Sequence, residues 1–312
     1  MATPNYGTIP QGTLDEATLG VVQGEQAIAD RVCRIRTDIK TLKGTAPFLT
    51  SQATVRSREN VDLAPGVDAI PASGGFGEVS YNCLRQTGFN IITDESEISA
   101  SAYNIDLVAH WIEEAVKQAN TNTDAKLEEV LSSTTLNLTW DVTDDGSGAW
   151  TDKTNGAPLT DITEAAKRVP NLDTAIIGRE AIIAFQNSPQ AQGRLSGYTN
   201  GTVAFVGEVR NLIASALNIN PDQVFLLDGE DAIFNENGQG QDFSTGYVFS
   251  DGMWIGKKAD LQLFDPNNPN NRKSEQGRRE RGAATEIVHH RYVDIIRHVR
   301  ENGLYFENIL GA

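Results

Sequence analysis

From Asn104 to about Leu131 the apolar residues Leu107, Val108, Trp111, Ile112, Ala115, Val116, Ala119, Leu127, Val130 and Leu131 recur every three or four positions. That spacing predicts an amphipathic helix capped by Asn104. At 1.5 Å per residue it is roughly 40 Å long, more than a compact small domain needs, so the chain is organised around a strut with one apolar face. Its middle, Gln118-Ala119-Asn120-Thr121-Asn122-Thr123, is poor in helix formers and predicts a frayed or bent centre.

What precedes the strut cannot make a core alone. The first 45 residues hold few large apolar side chains and are broken by Gly7, Pro10, Gly12, Gly20, Gly24 and Gly44, apart from one short helical pattern near 25–40. They read as an arm that packs on something else. From Thr50 to Thr93 the pattern is extended: Thr54–Arg58 alternates, a Pro- and Gly-rich tip follows, and Val79–Leu84 alternates again. A two-stranded arm of this kind is marginal in isolation and calls for a neighbour.

After the strut the pattern becomes compact. Thr134–Trp140 alternates as a strand, and 144–148 is a loop. Asp161 followed by Glu164 has capping-box spacing for a helix that stops at Pro170. Strands are predicted at Ala175–Ile177 and Val224–Leu227, with helices at Arg179–Gln186 and Val209–Leu217. Tyr247–Phe249 and Met253–Ile255 predict a hairpin around Asp251-Gly252, and Asn235–Asp242 is a polar loop tip. A turn-rich break at 265–271 leads to β-branched and aromatic residues from Thr285 to Arg300 and then Leu304–Phe306, a late strand pair placed to join the strand at 134–140.

Charge narrows the partners. The 312 residues carry 26 bases and 42 acids, a formal charge of -16, which argues against coating naked nucleic acid by bulk charge. The distribution is uneven: residues 31–58 hold seven bases against Asp38 alone, whereas 59–271 hold 11 bases against 31 acids. Opposite patches on identical copies steer and register assembly, which nominates Arg56 and Arg58 as contacts with acidic faces of neighbouring copies. Arg31, Arg34 and Arg36 belong to the same basic segment. No apolar run reaches a membrane span and Met1 leads into a polar segment, so the expectation is a protein that stays inside the cell where it is made. Cys33 and Cys83 fit a reducing compartment.

Reactive groups are few. Adjacent His289 and His290 in a strand point to opposite faces and cannot share one ion; His110 beside Trp111 reads as a surface histidine. Ser196 sits one position late for a nucleophile elbow, and Gly74-Gly75-Phe76-Gly77 precedes a strand rather than a helix. Asp141–Gly146 lacks the ligand alternation of a calcium loop and reads as turn chemistry. Asn137-Leu138-Thr139 matches a glycosylation pattern that carries little weight without a secretory signal. The expectation is no catalytic residue, no cofactor and no metal.

The order of these parts resembles the major capsid proteins of tailed bacteriophages, whose shell fold is shared with encapsulins. The resemblance implies an α+β fold divided into an N-terminal arm (1–45), an extended E-loop (46–95), a P domain with the spine helix and a surface insertion (96–158), an A domain (159–260) and P-domain C-terminal strands (261–312). Val293–Phe306 matches the hairpin that closes many such subunits.

The implied function is mechanical. Copies would form pentamers and hexamers around A-domain tips, with Asn235, Asn237 and Asp242 at the contact, and tile an icosahedral virion shell around double-stranded DNA. Separate scaffolding, portal and decoration proteins are the further partners, assembly falls in the host cytoplasm, and no membrane is involved. Some members cross-link covalently through an E-loop lysine; no lysine lies between Lys43 and Lys117 here, which implies a non-covalent lattice. The alternatives are an encapsulin-like compartment and an intracellular α/β enzyme or binding protein built on 159–260.

Overall fold

The computed structural model describes residues 27–49, 76–93, 107–193, 206–227, 234–236, 245–247, 249–266, 273–279 and 284–311. The elements used below follow in the order α1 (Ile28–Val32), β1 (Arg34–Arg36), β2 (Lys43–Leu49), β3 (Phe76–Asn82), β4 (Leu84–Thr93), α2 (Leu107–Ser132), β5 (Leu138–Asp141), α3 (Pro158–Ala166), β6 (Thr174–Gly178), α4 (Arg179–Asn187), α5 (Val206–Leu217), β7 (Val224–Leu227), β8 (Phe234–Glu236), β9 (Thr245–Tyr247), β10 (Met253–Gly256), β11 (Leu261–Phe264), β12 (Lys273–Arg279), β13 (Ala284–Arg297) and β14 (Gly303–Glu307). The fold is α+β, as expected.

One five-stranded sheet, ordered β5-β14-β10-β6-β7, is buried on both faces. Ala175, Ile177, Met253, Ile255, Leu304 and Phe306 turn to one side, where the helices supply Ile162, Ala181, Phe185, Val209 and Ile213. Ile176 and Trp254 turn to the other, against Leu127 and Leu131 of α2, Val32 of α1, and Leu263 and Val293. Double burial is why these strands read as short unbroken apolar runs. Of the late strand pair only β14 joins the expected strand, running parallel to β5 with Leu304 opposite Leu138; β13 belongs to the other sheet, so the closing hairpin expected at Val293–Phe306 does not form.

Two other local expectations fail as well. The hairpin expected over 247–255 does not exist: β9 pairs with β8, and β10 sits between β6 and β14, so both of its edges are filled. Phe249 instead takes a left-handed φ of 57°, and the following Ser250 carbonyl accepts from Glu180 N and Ala181 N at the start of α4. The capping box at Asp161 also fails. Helix α3 starts at Pro158, a residue preset for the first turn; the Leu159 amide donates to Gln190 Oε1, and the Thr160 amide is shared between Gln190 Oε1 and the Ala157 carbonyl. Asp161 faces inward, accepting from Ser147 N (2.9 Å), Ser147 Oγ (2.8 Å) and Trp150 Nε1 (2.9 Å).

Helix α2 runs unbroken for 26 residues; Asn104, read as its cap, lies outside the described residues. Its expected frayed middle is regular helix, with Ala119, Asn120 and Thr123 buried. Asn120 accepts from Arg291 Nη1 (3.2 Å), Asp124 accepts from Ala29 N (2.7 Å), and Thr123 Oγ1 returns to the Ala119 carbonyl (2.9 Å). Residues of low helix propensity are held there by tertiary hydrogen bonds, which outweigh intrinsic preference.

Under α2 lies the second sheet, β1-β11-β13-β12, with β4 added to β13. Residues 84–93, read as part of the extended hairpin, pair with β13 from Leu84 opposite Val293 to Thr93 opposite Ala284. Gly88 makes the close approach possible: a Cβ there would stand 1.8 Å from the Ala115 carbonyl oxygen of α2. Ile287, His289, Arg291 and Val293 of β13 are buried, and the residues between them are half-buried on the outer face.

Candidate assembly surfaces

Strands β2 and β3 form a separate antiparallel ribbon, from Lys43 opposite Asn82 at the root to Leu49 opposite Phe76. Seven pairs at 3.4 Å make it roughly 24 Å long. Its root is fastened to the body. Tyr81 stacks on Phe264 (centroids 4.9 Å apart, planes 11° apart), joined by Ile39, Ala46 and Cys83. Tyr81 Oη and Thr41 Oγ1 are 3.0 Å apart, Cys83 N donates to the Leu42 carbonyl (2.7 Å), and Asn82 N donates to Asp294 Oδ2 (2.8 Å). Beyond that root, both ribbon edges lack a third strand among the described residues. Unpaired edges are templates for another chain.

A second surface is the outer face of β4, β13 and β12. Phe89 is 47 % and Ile91 36 % exposed on it, opposite Val288 and Glu286. Beside this apolar strip, Arg85 Nε donates to His290 Nδ1 (3.0 Å), and His290 Nε2 lies 3.5 Å from Glu275. Burial and then Arg85 hold His290 below the usual histidine range. The free edge of β4 is closed at its centre by α2: Gln118 Oε1 accepts from Phe89 N (3.1 Å), and Asn122 donates to the Thr87 carbonyl (3.5 Å). A third surface is an open groove of about 940 Å³ lined by Thr151, Lys153, Glu180, Ile183, Asn187 and Leu310 among others.

Of the contact residues nominated from sequence, Asn235 lies in β8 opposite Gly246 of β9. Arg56, Arg58, Asn237 and Asp242 lie outside the described residues. His289 is buried with Nδ1 3.2 Å from Ser274 Oγ, and His290 is on the opposite face, as the strand reading required. His110 is exposed beside Trp111. Both cysteines are buried and free; burial pushes Cys33 well up and Cys83 up to about 12, which keeps both thiols protonated and unreactive. No group of His, Cys, Asp or Glu among the described residues could hold a metal ion, and no helix there is long and apolar enough to cross a membrane. Asp141 performs the expected turn chemistry, accepting from Thr143 N (2.8 Å), Thr143 Oγ1 (2.6 Å) and Asn308 (2.7 Å).

Asn137 is the residue the sequence undersold. Fully buried and so closed to glycosylation, it donates to the carbonyls of Val130, Leu131 and Ser133 at the end of α2. Its Oδ1 accepts from Trp254 Nε1 (2.8 Å) and from Arg297. One amide thereby ties the strut to both sheets. The outer apolar strip was also missed, although Thr87-Gly88-Phe89-Asn90-Ile91 places its apolar residues two apart, as a half-exposed strand should.

No protein-family model matches the chain, and no curated protein matches its sequence. Its similarity is to solved structures. A phage-related protein from Bordetella bronchiseptica superposes with a TM-score of 0.63 at 11 % identity, covering 95 % of this chain and 97 % of that one. A structure from Mycobacterium phage Che8 follows with 0.52 at 12 % identity, covering 92 % and 93 %. The capsid of an empty GTA particle gives 0.50 at 8 % identity, covering 98 % and 93 %. At such identities the likeness establishes architecture, and over nearly the full length of each chain that architecture is the phage major capsid fold.

Proposed function

We propose that this protein is the major shell subunit of an icosahedral virion that encloses double-stranded DNA. The observation that carries the reading is the β2–β3 ribbon, fastened at its root and unpaired along both edges among the described residues, on a subunit with the phage capsid fold. A ribbon of that kind gains stability when a neighbouring copy covers it. In this reading the ribbon belongs to the E-loop (46–95), α2 is the spine helix of the P domain (96–158 with 261–312), and 159–260 is the A domain. Asn235, Asn237 and Asp242 face the axes of pentamers and hexamers, and Arg56 and Arg58 dock on acidic surfaces of the next copy. The exposed Phe89 and Ile91 strip belongs to the same lattice of contacts. The role is structural rather than catalytic, the location is the virion capsid after assembly in the host cytoplasm, and scaffolding, portal and decoration proteins are the further partners.

Sedimentation and negative-stain microscopy of the expressed protein test the reading. Closed particles or rings far heavier than the 33.8 kDa chain are expected. A persistent monomer would overturn the shell role. Nuclease-protected DNA in particles from the natural source is the expected cargo; particles filled with a protein cargo would overturn that part alone.

A further inference from the structure

Residues 27–33 sit in a socket between α2 and β13. Ala27, Ile28, Ala29 and Val32 are buried with Leu127, Leu131 and Val293. The polar side of the socket holds three carboxylates and one guanidinium. Arg291, fully buried, pairs with Asp30 of α1, lies 3.4 Å from Asp265 Oδ2 through Nε, and donates to Asn120 Oδ1. Asp124 is the acid left over. Its Oδ1 accepts from Ala29 N (2.7 Å), and its Oδ2 is buried with no hydrogen-bond partner among the described residues.

A buried carboxylate keeps its charge when an opposite charge is committed to it and its lone pairs are filled. Asp124 has neither condition in full. The other groups around it do not change this. From α1 come Asp30, already paired, and Cys33, a thiol held neutral by burial. From the turn before β11 comes Lys258, whose Nζ donates to the Arg31 carbonyl (3.0 Å). From β13 come Arg291 and, two residues along the same face, His289 against Ser274. From the end of β11 comes Asp265.

We propose that Asp124 is a protonation-controlled clasp, seating α1 against α2 while its carboxyl is neutral and loosening it when the carboxyl ionises. Burial pushes the acid up to about 7, against roughly 3.9 for a free aspartate. The sign follows from linkage. The seated state holds a proton that the released state gives up, so seating is tightest below about pH 4, weakens as pH rises, and levels off above about 7. The clasp stands independently of the shell reading because its test uses the unassembled subunit.

The test is amide exchange at Ala29 in the full chain, corrected at each pH for the intrinsic exchange rate. The opening constant should rise close to tenfold per pH unit from pH 5 toward 7 and flatten above 7.5. Asp124→Asn, which imitates the neutral acid, should give a flat profile. A flat wild-type profile would overturn the clasp, as would an Asp124→Asn protein that keeps the wild-type slope. The wild-type profile needs no variant, so it decides the matter even if the substitution prevents folding.

Discussion

Replacing Gly88 by alanine sets two opposing effects against each other with a calculable winner. In a tolerant strand position the exchange would stabilise by about 0.4–1 kcal/mol, because alanine has less freedom to lose on folding. Here the new Cβ meets the Ala115 carbonyl oxygen at 1.8 Å and its carbon at 2.7 Å, where ordinary contact begins near 3.4 Å. Both partners are backbone, so no side chain can swing aside. Strand β4 must back away from α2 by about 1.6 Å, the difference between those two separations. Overpacking of this kind costs about 1–3 kcal/mol. Taking the upper figure, the net loss is about 2 kcal/mol, which for a chain of this length corresponds to a fall in melting temperature of about 3 °C. The same displacement stretches the 3.1 Å bond from Phe89 N to Gln118 Oε1 beyond hydrogen-bond range, so the Phe89 amide should lose protection. Calorimetry and amide exchange on the unassembled subunit read both effects. An unchanged or raised melting temperature with Phe89 still protected would refute the argument.

The remaining expectations are as follows. Asp161→Ala strands Trp150 Nε1 and the Ser147 amide in the interior, and at about 1–3 kcal/mol per orphaned donor should destabilise by about 3 kcal/mol in a urea titration; Asp161→Asn should cost less. Arg56→Glu with Arg58→Glu should block assembly in sedimentation while leaving the circular dichroism of the subunit unchanged, since rim charges act on association more than on fold. Because burial and Arg85 depress His290, its neutral form is favoured in the folded state, so acidification below about pH 6.5 should weaken the β4–β13 ladder; His290→Gln should remove that sensitivity in a pH series of melting curves. Particles boiled in detergent with reductant should release a single band near the 33.8 kDa chain mass, and a ladder of multimers would show a covalent lattice instead.

What sequence pattern could reach was what local physics decides. The strut emerged because ten apolar positions repeat at helical spacing over a 26-residue helix, far longer than any competing pattern. The doubly buried β6 and β7 emerged because unbroken apolar runs between turn residues have few other uses. What stayed hidden depends on partners distant in the chain. The apolar runs at Tyr247–Phe249 and Met253–Ile255 were real strand signals, but β10 found β6 and β14 instead of its sequence neighbour. Asn120 looked like a poor helix former because Arg291, which occupies it, is 171 residues away. Of the nominated contacts, Asn235 alone falls on a described strand, and its role depends on a second copy that a single chain does not contain.

The strand order of the doubly buried sheet also governs when this protein can fold. Its five strands are drawn from residue 138 to residue 307, and β14, the last made, lies in the interior of the order, between β5 and β10. Neither of those neighbours has its full complement of hydrogen bonds until β14 arrives. Such non-local closure is slow, because a long loop must be closed before any contact rewards it. During synthesis, then, β6 and β7 can pair early, whereas β5 waits more than 160 residues for its partner. A nascent chain is therefore an incomplete subunit until residue 307 has been added, and it stays exposed to aggregation while it waits. Crowded polysomes, where many copies wait side by side, are the setting in which a chaperone would matter most to its yield.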